Sequence, residues 1–236
     1  MGKSFFIWND IDCRSMGVTL AGPVPIVRPE ERVKHVEIPG RSGDLTQTEG
    51  DDIYNSYIQT ATIQVKGGYR VRDVYKWLRG SGYVTFSGEP DRKQPARIIG
   101  AITLDKHSHN MDIWTGEVQF YCQPLKEKMI SETVEITSSG STVVNSGDVI
   151  SKPSLKVTAS SSSIMLSTGK DTIIVTGLTS GSKYIIDSDI MEVTDMEGNP
   201  LTKNATGTFL VLLPGENIIT GSGWSKVVIY RRERFL

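Results

Sequence analysis

Most of the chain alternates apolar and polar residues with a period of two, the mark of strands with one buried face. In "ATIQV", Ala61, Ile63 and Val65 share a face. In "IIGAITL", Ile98, Gly100, Ile102 and Leu104 share one, and in "EVQFYC", Val118, Phe120 and Cys122 oppose Glu117, Gln119 and Tyr121. "SFFIWN", "VKHVEI" and "YVTFS" are further strands, and "GEPDRKQP" is a long turn between "YVTFS" and "ARIIGAITL". One segment departs from this period. "YRVRDVYKWLRGSG" places Val71, Val74, Trp77 and Leu78 on one helical stripe, opposite Arg72, Asp73, Lys76 and Arg79, with Gly80 and Gly82 as a stop.

Between 137 and 150 the chain turns to Ser, Thr, Gly and Asn, the composition of a connector. Beyond it come "PSLKVTA", "SIMLST", "DTIIVTGL", "KYIID", "DIMEVTD", "FLVLLPG" and "SKVVIY", separated by Gly-, Asn- and Pro-rich turns. Short strands at such spacing predict an antiparallel sandwich.

The 236 residues suffice for one large β domain or two smaller ones. With 26 basic against 27 acidic residues the net charge is −1, without the basic excess that phosphate binding asks for. The one dense basic run is "RRER" at 231–234. Two distant cysteines, Cys13 and Cys122, fit reduced thiols better than a secreted disulfide scaffold. "MGKSFFIWNDID" lacks a signal-peptide core, and Phe6 stands where a myristoylation signal needs Ser or Thr. No segment approaches the roughly 20 apolar residues of a membrane helix. Folding in a cytoplasm is expected.

Candidate chemistry is thin. "LSTGKDT" has Ile164 where a phosphate loop needs Gly and Asp171 where it needs Ser or Thr, so a strand turn is expected. His107 and His109 stand two apart in "DKHSHN", but only His35 remains as a further histidine, and a polar hairpin tip fits better than a metal site. No G-x-S-x-G elbow occurs. A two-carboxylate glycosidase site is set by spatial rather than sequence spacing, and most acids here sit beside turn residues. "NAT" at 204–206 is a glycosylation sequon with no secretory signal to give it use. Trp114 and Trp224 stand just before strands, where packing is the commoner role. Trp224 is the candidate platform if the chain binds sugar. No motif asks for a cofactor, a metal or a catalytic residue.

"IPGRSGDL" at 38–45 follows the strand "VKHVEI". What comes after it, "LTQTEGDDIYNSY", is acidic and turn-rich and carries no helical stripe, so no helix N-terminus faces the loop as an anion cradle would require. The glycines serve a hairpin bend, and a long polar hairpin is a common way to grip a neighbouring subunit.

The order of these parts resembles the distal tail proteins of phages with long non-contractile tails, the hub at the tip of the tail tube. The resemblance rests on the "PGRSGDL" tip, the helix "VRDVYKWLRG", "VTFSGEPDRKQPARI", "VQFYCQPLKE", the polar connector, "LPGEN", "GSGW" and the terminal "RERFL". "TFSGEPDR" and "FYCQP" are the most telling. The chain departs from the family at Lys93-Gln94-Pro95, where one or two aromatics are usual.

The resemblance implies a mainly β chain of two antiparallel β-sandwich domains. Residues 1–136 would carry one helix and a projecting hairpin and form the ring. Residues 137–150 would connect, 151–225 would be galectin-like or carbohydrate-module-like, and 226–236 would be a terminal strand returning to the first domain. It implies a homo-hexameric ring in the virion tail tip with no enzymatic role. The implied partners are a tail tube protein, a tail-tip or tail-associated protein and a receptor-binding protein, while DNA crosses the lumen without specific binding. Arg41 and Asp44 are then candidate contacts to the next subunit, and Arg231, Arg232 and Arg234 candidate residues near the hub. The alternatives are a carbohydrate-binding module for host cell-wall sugar and, more weakly, a tail-associated hydrolase. The strands after 150 are mostly aliphatic and carry no histidine, so a galectin-like architecture without a working sugar site is expected.

Overall fold

The structure, a computed structural model, describes residues 4–48, 50, 52–107, 111–130 and 132–236. It is mainly β, with antiparallel pairing throughout and one short α-helix. The chain divides into two compact units, Met1–Met129 with Leu236, and Ile130–Phe235.

The first unit is built on a ten-rung ladder between Tyr57–Lys66 and Ile113–Cys122. Burial alternates along Tyr57–Lys66 and along the second half of Ile113–Cys122, with Ala61, Ile63, Val65, Val118, Phe120 and Cys122 pointing inward and buried. From this pair the sheet runs outward in two directions. Val18–Leu20 borders Tyr57–Lys66, and Arg92–Ile99, Ser81–Phe86, Phe6–Trp8 and Ile11–Asp12 follow on the other side. The last two join through Asn9 and Asp10, both at positive φ (49° and 63°), as a two-residue hairpin turn requires.

Phe120 is the centre of the core. Phe6 and Phe86 meet its ring edge-on at 5.4 and 5.6 Å, and Trp8 lies tilted at 5.7 Å. The predicted helix is present as Val71–Trp77. Val74 and Leu78 are buried, and Trp77 is half-buried, stacked on Phe6 at 5.5 Å with its indole N–H donating to the Trp8 carbonyl at 3.3 Å. Burial pushes the Cys122 thiol up to about 12 and raises that of Cys13, and both are free, buried thiols.

The second unit is a sandwich of two five-stranded sheets. One is ordered Thr133–Ile136, Trp224–Tyr230, Ser154–Ala159, Lys183–Asp187, Glu192–Asp195. The other is ordered Ser141–Asn145, Gly215–Ser222, Ser163–Ser167, Thr172–Thr176, Ala205–Gly207. Leu155, Val157, Ile164, Leu166, Ile173, Val175, Ile186 and Val227 fill the space between them.

Four local expectations change. "IIGAITL" is not one strand: the ladder stops at Ile99, Gly100 takes φ +70°, and pairing resumes at Leu104–Lys106. "GEPDRKQP" is a shorter turn, because Arg92–Ile99 already includes Lys93, Gln94 and Pro95. The expected connector 137–150 contains the strand Ser141–Asn145, whose Val143 is buried, so the small polar residues around it mark turns inside the second unit. "FLVLLPG" is extended and buries Leu210 and Leu212, but it joins a neighbour only through an isolated bridge between Ser151 and Leu212. The true strand beside it is Gly215–Ser222. Its two glycines and exposed Ile218 blur the alternation that would have announced it.

Phe120→Ala should destabilise the first unit by ~3–5 kcal/mol, the usual cost of emptying an aromatic core site, and half-buried Trp77→Ala by about 2–3 kcal/mol. Urea unfolding checks both; equal, sub-kilocalorie losses would mean that neither ring is packed as described.

Candidate assembly hairpin and the basic C-terminal run

Val33–Val36 and Leu45–Thr48 form a two-stranded hairpin that, among the described residues, pairs with no other strand. Its register sets Val36 opposite Leu45, with the loop 37–44 beyond them. Gly40 and Gly43 take φ of 80° and 81°, left-handed angles that open the bend, and the Arg41 N–H closes a turn on the Ile38 carbonyl at 3.1 Å. Arg41 and Asp44 both lie exposed in that loop.

The hairpin is held at its base. Glu31 bridges Tyr54, the Arg32 and Asn55 amides donate across to Ile53 and Glu30, and the Arg32 guanidinium reaches Asn55 at 3.1 Å. Further out, none of its described residues is buried, and Ile38 and Leu45 are 39% and 47% exposed. A free two-stranded hairpin is marginal in water, so the contacts at its base weigh heavily in holding this arm.

The two most telling stretches of sequence meet in space. Glu89 of "SGEPDR" pairs with Arg92 at 2.9 Å and with buried Lys126, just past "FYCQP", at 2.6 Å. Lys126 also donates to the Leu236 carbonyl at 3.2 Å. Gln94 is buried and donates to the Gln123 carbonyl at 2.6 Å and to the Tyr57 hydroxyl at 2.9 Å. Lys93 lies 4.7 Å over the Tyr83 ring. Polar groups thus close this corner. The pair of buried Lys126 with half-buried Glu89 was missed in the sequence, where a glutamate in a turn and a lysine after a strand look like solvated surface.

The basic run at 231–234 is not a free patch. Arg231 is buried, pairs with Glu132 at 2.7 Å and Glu233 at 3.0 Å, and donates to the Val144 carbonyl. Arg232 grips Asp187 through two bonds of 2.7 and 2.6 Å, and Arg234 lies 3.4 Å from Asp189. Burial raises the Asp187 pKa, but the Arg232 guanidinium and the Asp189 amide outweigh it and hold the carboxyl below its usual range.

Trp224 does not form a sugar platform. It opens the strand Trp224–Tyr230, faces inward and is buried in the core of the second unit. A ring needed to fill a core cannot also offer its face to a ligand. Trp114 is half-buried, and its indole N–H donates to Asp112 at 3.0 Å. His107 directly follows Leu104–Lys106, its amide donating to the Ile113 carbonyl at 2.9 Å, while His109 lies outside the described residues. Among the described residues, no three His, Cys, Asp or Glu side chains stand together as a metal site. No described helix is long and apolar enough to cross a membrane.

Over its whole length the chain superposes on all of SPP1 Dit (gp 19.1), described as a paradigm of the hub adsorption apparatus in phages that infect Gram-positive bacteria, with a TM-score of 0.80. The chain has the fold of a phage tail hub protein. Sequence identity across that match is 17%. No family model and no curated protein matches the sequence.

Two outcomes follow. Arg231→Met should cost the second unit ~3 kcal/mol, because it takes the neutralising guanidinium from buried Glu233, whereas Arg232→Met, at a half-exposed guanidinium, should cost about 1 kcal/mol. The Asp187 contribution is present above the unfolded carboxylate pKa of about 4 and is lost as pH falls through the lower folded value. Acid titration of stability should therefore show a smaller low-pH loss in Arg232→Met, and an unchanged acid limb would contradict the pairing. Trp224→Ala should unfold the second unit, at a cost of ~3–5 kcal/mol. Calorimetry of the intact chain against cell-wall polysaccharide should show no saturable micromolar binding; saturable binding lost in a folded Trp224→Ala would reverse this reading.

Proposed function

We propose that this chain is a structural distal tail protein that forms a closed homo-hexameric ring at the tip of a phage tail. The observation that carries this reading is the hairpin 33–48, paired only with itself and burying nothing, on a chain that shares its fold over full length with a tail hub protein. The first unit forms the ring, with Arg41 and Asp44 at the contact with the next copy. Head-to-tail contacts of this kind close into rings when the rotation per subunit permits.

The ring joins the tail tube protein to the tail-tip protein and, through it, to the receptor-binding protein. DNA passes through the lumen unread. A net charge of −1 suits a conduit, since strong phosphate binding would hold the DNA in place. The second unit, galectin-like in this reading, serves as a docking or spacer module. Arg231, Arg232 and Arg234, each engaged with an acid, fix the path of the chain's end toward the hub rather than supply free charge. The role is not enzymatic: the acids in the described ion pairs are committed to structure. The protein is made and folded in the host cytoplasm and works in the virion.

Light scattering of the purified chain at micromolar concentration should give the mass of six 26.0 kDa copies. Replacing 37–44 by a two-residue Asn-Gly turn should return it to a folded monomer. A wild-type monomer at modest salt would count against the ring.

A further inference from the structure

The run 231–234 is the densest basic stretch in the sequence, yet each of its arginines is engaged with an acid. Unneutralised positive charge lies elsewhere. Residues 66–79, "KGGYRVRDVYKWLR", hold five bases and one acid, a net of +4 in a chain whose total is −1. In the sequence they do not read as a run, because apolar positions of the helix stripe separate them.

The helix Val71–Trp77 sorts these residues. With Val74 and Leu78 buried beneath it, Arg72, Tyr75 and Lys76 share the solvent side at i, i+3 and i+4, and Arg79 follows just past its end; all four are exposed. Among the described residues only Lys76 of these cations meets an acid, Asp73 at 3.5 Å, and with the two side chains 63% and 65% exposed water screens that pair. Arg97, on the neighbouring strand Arg92–Ile99, stands opposite Ser81, two residues past Arg79, and is exposed as well. Asp112 reaches the segment at Gly68, whose N–H it accepts at 2.8 Å, before the helix begins.

A stripe of this kind fits a ligand with evenly spaced negative charge. Neutralising phosphates releases their counterions and gives affinity without burying apolar surface. A folded protein partner asks instead for a desolvated apolar centre, and the stripe offers only the Tyr75 ring, 39% exposed. Three of its four cations are arginines, whose planar forks take phosphate oxygens in pairs. A tyrosine set among cations also suits a nucleic acid strand, since the ring stacks on any base while the cations track the backbone.

We infer that the stripe of Arg72, Tyr75, Lys76, Arg79 and Arg97 binds the phosphate backbone of a nucleic acid strand without reading its sequence, with Tyr75 stacking on a base. The near-neutral total charge keeps this hold weak and salt-labile, so DNA is engaged without being stopped. The stripe is independent of the ring: a chain that never closes into rings still carries it.

Fluorescence anisotropy of the intact chain with a labelled oligothymidylate of about ten nucleotides tests this. Binding should be measurable at low salt and fall with a slope of about −3 in log K against log salt, for contacts through Arg72, Lys76, Arg79 and Arg97. Arg72→Gln, Lys76→Gln and Arg79→Gln together should cut affinity about tenfold or more and flatten that slope. The melting temperature should stay at the wild-type value, since Gln keeps the helix propensity. Tyr75→Ala should weaken binding and leave the slope unchanged. Lys170→Glu with Lys203→Glu, at exposed cations of the second unit, should bind as wild type apart from a small general charge effect. A wild-type chain that does not bind at low salt, or a triple variant or Tyr75→Ala chain that binds as wild type, overturns the inference. So does polyglutamate that displaces the strand as well as unlabelled oligothymidylate does at equal charge, which would give the stripe to an acidic protein.

Discussion

The ten-rung pairing of Tyr57–Lys66 with Ile113–Cys122 is the constraint on which the first unit depends. It fixes, at one stroke, which side chains face inward, because a slip of one residue would turn Phe120, Ile63 and Val118 out to solvent. Phe120 then sets the positions of Phe6, Phe86 and Trp8, and through Phe6 the place of Trp77 and the helix. The same strand also aims the hairpin arm: the bridge at Tyr54 and the amide of Asn55 stand just before Tyr57. A rigid ladder thus carries, at its entrance, a segment that has no core of its own. Rigidity at the base and exposure at the tip are what an assembly arm requires.

The two units solve burial differently. The first curls one continuous run of strands over an aromatic centre and covers it with a short helix. The second stacks two aliphatic sheets, and its polar groups serve mainly to close corners. Asn217, for example, accepts from the Leu213 amide at 2.9 Å and donates to the Leu213 carbonyl at 2.8 Å, locking the "LPGEN" turn. Ser188 and Arg231 are buried there as well, and the acids 132, 187, 189 and 233 neutralise the basic run locally. Charge in this protein is used largely for fixing loops.

Much of this was legible in the residues. The strict alternation of "ATIQV" and "EVQFYC" announced the central pair, the three-and-four spacing from Val71 to Leu78 announced the helix, and the glycines of "IPGRSGDL" announced a hairpin instead of a ligand loop. What could not be read depended on distant partners. Glu89 and Lys126 look solvated until the fold brings them together. The strand Ser141–Asn145 was hidden by polar neighbours, since Val143 is its one large inward residue.

Electron microscopy of the purified chain addresses the central claim most directly. The account predicts closed rings of six equal subunits with an open lumen and the hairpin of each copy crossing onto its neighbour. Particles without a lumen, open filaments, or rings in which the segment 33–48 touches no second copy would contradict it.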